Sequence, residues 1–179
     1  LSDMTGNTYF HRTLFPAASS GADTEFTAAH NIYIDENGVA YIFGASSNNG
    51  SSPSDGVIFL DVDTDPINPL FLGEWDDFYV HDGMARGDTM YVGCIYEGDL
   101  YVVDVSDKAN PVNLGNVGTP SDFTHNAWVS DNGNYVFTTD EVSDAYLGSY
   151  DISDLNNIQE IDRIQSNPDI EISQKSFDD

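Results

Sequence analysis

Residues 79–115 read YVHDGMARGDTMYVGCIYEGDLYVVDVSDKANPVNLG. Four runs of strand length, VHDGM, TMYVGCIY, DLYVVDV and PVNLG, are divided by the polar breaks RGD, EGD and SDKANP. Val, Tyr and other β-formers fill the runs, while Gly, Asp, Asn and Pro fill the breaks, the pattern of short strands separated by tight turns. The stretch predicts one four-stranded antiparallel sheet.

Working outward, the same unit recurs on both sides. Upstream it reads HNIYID, the turn DENG, VAYIFGA, the polar loop SSNNGSSPSD, GVIFLDV, the turn DTDPINP and LFLGEW. Downstream it reads HNAWVS, the turn DNGN, YVFTTDE, a short VSD loop, AYLGSYDI, the turn SDLNN and IQEIDRI. Asn-Gly at a turn between alternating runs is a strong hairpin signal. The turns before the fourth strands align as DVDTDPINPLFLG, DVSDKANPVNLG and DISDLNNIQEID. His30, His81 and His125 each open a first strand, at separations of 81 − 30 = 51 and 125 − 81 = 44 residues. A period of that size marks repeat architectures such as propeller blades, and no helical periodicity competes with it.

The chain thus divides into an N-terminal strand and linker at 1–25, with the strand at Thr8 to Phe15, and blades at 26–76, 77–120 and 121–165. Residues 166–179 break the pattern and read as a tail or the start of a further blade. The fold class is all-β, an incomplete β-propeller of about three four-stranded antiparallel blades. Propellers close with four to eight blades, so the remaining blades are expected in a longer chain or in another chain.

Composition narrows the function. The 31 acidic residues against 5 basic ones leave a formal charge of −26. That excludes nucleic acid as a partner, since a phosphate backbone needs Lys and Arg to displace its counterions, and it argues against docking on anionic lipid. Such acidity suits a salty or calcium-rich exterior. Cys94 is the sole cysteine, mid-strand, and reads as a buried inert thiol. No apolar run is long enough to cross a bilayer, and no signal peptide is visible. Because the chain starts at Leu1, it is expected to be a processed or excised piece, which leaves export open.

The pattern D-[VI]-[ST]-D-x-x-N-P-x-x-x-G, carried by residues 104–115 after the strand GDLYVVD, resembles the LVIVD repeat, a β-propeller blade motif. With the added HN, HD and HNAW stretches and TTDE at 138–141, the chain is similar to the choice-of-anchor B family of secreted bacterial surface proteins. The resemblance covers roughly residues 26–165. It implies an exported, cell-surface or extracellular protein with protein or glycan partners.

Strands that alternate in direction sort the loops onto two faces. The histidines share one face with Glu97, Asp99, Asp140, Glu141 and Asp144, and as openers of the innermost strands they should ring the channel mouth. His30, His81, His125, Glu97, Asp140 and Glu141 therefore form a candidate divalent-metal site for iron or zinc. The plainer account is that each histidine locks its own blade, as a repeated residue in a repeat protein first serves the repeat. Asn31, Asp82 and Asn126 read as caps at the strand starts.

On the opposite face, Asp61, Asp63 and Asp65 alternate like a calcium loop. They lack its glycine and distal glutamate, and the equivalent turns suggest that the first Asp closes a turn through its own backbone. Arg86-Gly87-Asp88 spells an adhesion tripeptide but falls at a hairpin turn. Trp75, Trp128, Tyr33, Tyr79, Tyr91 and Tyr101 are expected to pack between blades. No nucleophile elbow or phosphate-cradling loop is present, although paired acids for glycoside hydrolysis depend on three-dimensional separation. Three functional readings stand: a non-catalytic extracellular binding or assembly module, a metalloprotein or metalloenzyme at the channel mouth, and a structural subunit of an extracellular assembly.

Overall fold

The computed structural model describes residues 28–46 and 56–165. The expectations for Thr8 to Phe15, the loop at 47–55 and the tail at 166–179 lie outside those residues. Among the described residues the chain is all-β, with every predicted strand of the three repeats present.

The first sheet runs β1 (Asn31–Ile34), β2 (Val39–Phe43), β3 (Val57–Asp61) and β4 (Leu70–Trp75). The second runs β5 (Asp82–Arg86), β6 (Thr89–Cys94), β7 (Asp99–Asp104) and β8 (Val112–Gly118). The third runs β9 (Thr124–Val129), β10 (Tyr135–Asp140), β11 (Tyr146–Asp151) and β12 (Gln159–Gln165). Each sheet is a meander of four antiparallel strands in sequence order. The three sheets form no closed barrel, which makes the architecture that of an incomplete propeller.

Turn chemistry explains the short connections. In the β1–β2 hairpin the Asp35 carboxylate accepts from the backbone N–H of Asn37 and Val39, each at 2.9 Å. Gly38 then turns the chain at φ +73°, a conformation that a Cβ disfavours. Gly87 and Gly133 serve the equivalent hairpins at φ +58° and +74°.

Two apolar layers lie between the sheets. The first joins Tyr41, Phe43, Val57 and Phe59 of the first sheet to Ala85, Met90, Val92 and Val103 of the second. The second joins Met84, Tyr91, Leu100 and Val102 to Ala127, Val129, Val136 and Tyr150 of the third. Strand alternation supplies both faces of the middle sheet, because successive side chains point to opposite sides. Cys94 is fully buried, and burial pushes its thiol above the ordinary range, as expected of an inert side chain.

Glycines set the approach of neighbouring sheets. A Cβ on Gly73 would stand 1.8 Å from the Lys108 carbonyl oxygen, and one on Gly115 would stand 2.4 Å from that of Leu155. The glycine closing the repeated turn motif is therefore required by the next sheet's turn, which packs on the bare backbone.

Most of the aromatics match expectation. Trp75, Tyr91 and Tyr101 are buried, and Tyr33 packs against both core layers. Trp128 does not: it is 56% exposed. It lies on the face of the third sheet turned away from the second, where no described residue covers it.

Candidate functional site

The site grows out of the way the first strands begin. The backbone N–H of His30 donates to the Phe43 carbonyl at 2.8 Å, and that of His81 donates to the Gly93 carbonyl at 3.0 Å. Each histidine thereby extends the ladder of its own sheet by one bond. A Cβ on Gly93 would stand 3.0 Å from the Thr124 carbonyl oxygen, so this glycine admits the start of β9 and brings His125 toward His81.

The three imidazoles lie in a row, with successive ring planes tilted by 43° and 46°. The His30 and His81 ring centres are 3.7 Å apart, and those of His81 and His125 are 4.7 Å apart. His81, in the middle, is buried, and its Nδ1 donates to the backbone carbonyl of His125 at 3.2 Å. A carbonyl can only accept, so Nδ1 carries a proton, and Nε2 lies at the far edge of the ring. That Nε2 lies 3.5 Å from Glu141 Oε2. Burial, followed by the neighbouring His30, holds the His81 pKa below its usual value, against the opposing pull of the His125 carbonyl and Glu141. His81 is therefore neutral at pH 7. His125 Nδ1 lies 3.5 Å from the Thr139 hydroxyl.

Glu141 joins this group because its backbone N–H donates to the Phe123 carbonyl at 3.0 Å, folding the end of β10 back beside the start of β9. Among the described residues, one ligand atom each from His81, His125 and Glu141 lies within 4.8 Å of the others. The remaining residues of the predicted site sit elsewhere. His30 lies against His81 but is not in the converging group. Asp140 is buried, where it accepts from the Thr119 hydroxyl at 2.6 Å and the Ser121 N–H at 2.7 Å, tying two loops together. Asp99 accepts from the Asn116 amide at 2.7 Å, and the Asp144 carbonyl accepts from Gln165. Glu97 is exposed and outside the converging group.

Asp61 accepts from the N–H groups of Asp63 and Thr64, each at 3.0 Å, and Asp65 accepts from those of Ile67 and Asn68 at 3.0 and 3.1 Å. The turn thus uses two of the three carboxylates, and among the described residues Asp61, Asp63 and Asp65 do not form a converging group. The same self-closing bonds recur from Asp104 to Ser106, Asp107 to Ala109, Asp151 to Ser153 and Asp154 to Asn156.

Two features of the site were not anticipated. The Asn126 amide donates to Asp82 Oδ2 at 3.2 Å, which bridges two sheets, while Asn126 Oδ1 is buried with no hydrogen-bond partner. At the other end of the inner strands, Arg86 donates to the Ser130 carbonyl at 2.6 Å and the Gly87 N–H donates to Glu36 at 3.2 Å, linking all three sheets. The one sequence signal for these bonds is their spacing of 44 or 51 residues, equal to that of the histidines.

The LVIVD repeat family model matches residues 81–119, the middle sheet. None of the curated proteins matches the chain. Solved structures do resemble it. A candidate 6-phosphogluconolactonase from Bacteroides uniformis has a TM-score of 0.60 and 12% identity over 90% of this chain and 47% of its own. Hydrazine synthase of Kuenenia stuttgartiensis has a TM-score of 0.59 and 16% identity over 84% of this chain and 39% of its own. A functionally unknown protein from Desulfotomaculum acetoxidans has a TM-score of 0.54 and 16% identity over 77% of this chain and 42% of its own. At such identities the likeness is one of fold. The chain spans less than half the length of each.

Proposed function

We propose that this chain is a three-blade portion of a larger LVIVD-type propeller, working outside the cell as a non-catalytic binding and assembly module. The observation that carries this reading is the outer face of the third sheet. Met84, Tyr91, Leu100 and Val102 cover the equivalent face of the second sheet and are at most 7% exposed. Their counterparts by register are Trp128, Phe137, Leu147 and Ser149. Trp128 is 56% exposed, and Phe137 and Leu147 are each 40% exposed, around a shallow groove of about 190 Å³. A repeat face that is buried twice and open the third time calls for another blade.

The covering blade cannot dock in the same way along its outer edge. Asp162 pairs with Ser149 in the register place where Gly73 pairs with Phe59 and Gly115 with Val102. A side chain there blocks the close turn contact, so the new blade seats on the inner and central strands. The charge of −26 suits an extracellular setting, and the similarity to choice-of-anchor B proteins points to a surface protein with protein or glycan partners.

Trp128 is its own reporter, because Trp75 is buried. Acrylamide quenching of tryptophan fluorescence should show Trp128 accessible in the dilute chain and protected in the assembled propeller, whether a longer polypeptide or a second chain supplies the blade. Trp128→Ser combined with Leu147→Ser should abolish association while leaving the thermal unfolding of the isolated chain unchanged. A tryptophan that stays fully quenchable in every assembly would end the proposal.

A further inference from the structure

We propose that His81, His125 and Glu141 form a three-ligand site for a borderline divalent cation, zinc first among them, at the end of the inner strands. The placement of the two His81 nitrogens points to it. Nδ1 is taken by the His125 carbonyl, which leaves Nε2 beside Oε2 of Glu141. Their separation of 3.5 Å is long for a charge-assisted hydrogen bond. It is close to the edge of a zinc tetrahedron, about 3.4 Å for bonds of about 2.0–2.1 Å.

The ligands are held from different directions. His81 precedes β5, His125 belongs to β9, and Glu141 follows β10 under the backbone bond from its N–H to Phe123. The His125 carbonyl, by holding His81 Nδ1, acts as an outer partner that fixes the tautomer needed for a metal ligand. Two imidazoles and one carboxylate suit zinc and its transition-metal neighbours, and disfavour calcium, which takes oxygen donors. Glu141 is exposed and His125 half-buried, so the solvent side offers a fourth position for water or a ligand atom. The structural role of the His81–His125 bond remains intact with the metal bound.

The test uses the chelator-stripped chain, titrated with zinc by calorimetry in excess calcium, which occupies the exposed carboxylates. One zinc per chain is expected. Glu141→Gln and His125→Ala should each weaken it by about 100-fold or more, since loss of a ligand exceeds the roughly 10–100-fold cost of losing an outer partner. His30→Ala should leave it unchanged. Cobalt in place of zinc should give visible absorption bands that Glu141→Gln removes. His81→Ala removes a buried side chain and confounds folding, whereas the Glu141 carboxylate is 56% exposed and its variant should melt like the metal-free parent. The absence of a saturable single site, zinc affinity unchanged in both Glu141→Gln and His125→Ala, or dependence on His30 would each overturn the proposal.

Discussion

The bare backbone of Gly115 packs against the turn at Leu155, so closely that a Cβ would stand 2.4 Å from the Leu155 carbonyl oxygen. This contact joins the outer edge of the second sheet to the third, and the oxygen belongs to backbone that cannot rotate away. Gly115→Ala should therefore destabilise the chain by about 1–3 kcal/mol, the usual cost of overpacking. Gly87→Ala is the comparison: nothing lies within 4 Å of its Cβ position, but its φ is +58°. It should cost only about 1 kcal/mol from backbone strain. Chemical denaturation of the two variants decides the order.

Asp140 was expected at the metal and is instead a clasp. Its carboxylate holds the Thr119 hydroxyl and the Ser121 N–H, and Thr119 also lies 2.8 Å from the buried Thr124 hydroxyl. Asp140→Ala removes the acceptor of the Ser121 N–H, while Thr119 keeps the Gly98 carbonyl and the Thr124 hydroxyl, and should cost about 1–3 kcal/mol. It should not change zinc stoichiometry. Loss of zinc binding in a folded Asp140→Ala variant would contradict its exclusion from the ligand set.

Arg86 of the RGD tripeptide is held by the Ser130 carbonyl at 2.6 Å, with Asp131 3.9 Å away. The tripeptide is thus part of a tie between hairpins. Arg86→Ala should lower stability by about 1.5–3 kcal/mol, a typical value for a charge-assisted bond. Arg86→Lys should recover part of that loss, since a single donor still reaches the carbonyl. Thermal unfolding of both variants tests this, and equal stability of all three chains would refute it.

Acid should weaken the repeated turns. The pKa of Asp61 and Asp104 is held below the usual 3.8 chiefly by backbone N–H donors from Thr64 and Ser106. Asp107 and Asp151 are lowered chiefly by the Asn110 and Ser153 side chains. A carboxylate with a depressed folded pKa contributes stability above its unfolded pKa and loses it as the pH falls through the folded one. The contribution is therefore complete above 3.8 and disappears below it. Asp104→Asn keeps an acceptor oxygen but cannot titrate, so its melting temperature should fall less as the pH drops from about 4 toward 2, the range below 3.8 in which these carboxylates protonate.

Much of the fold was legible in the chain because its signals are local. The apolar run TMYVGCIY between polar breaks marked a strand, and it forms β6, with Met90 and Val92 in one core layer and Tyr91 in the other. The Asn-Gly turn at Asn37-Gly38 set its hairpin through a backbone conformation that glycine alone adopts easily. Repeat spacing also placed the three histidines together, since equivalent residues of stacked sheets must be neighbours.

What the residues could not supply was direction across the gap between sheets. Adjacent acids at 140 and 141 looked interchangeable, yet one is buried on Thr119 and the other faces His81. Trp128 and Met84 share a repeat position, yet one is exposed and the other buried, because only the second sheet has a described neighbour on that side. By itself the sequence determined the strands, the turns and the alignment of His30, His81 and His125, all consequences of bonding and sterics within a few residues. Only the tertiary structure decided that the His125 carbonyl takes one His81 nitrogen while Glu141 lies beside the other. That choice depends on how closely β9 approaches Gly93, a distance set by packing between residues more than thirty positions apart in the chain.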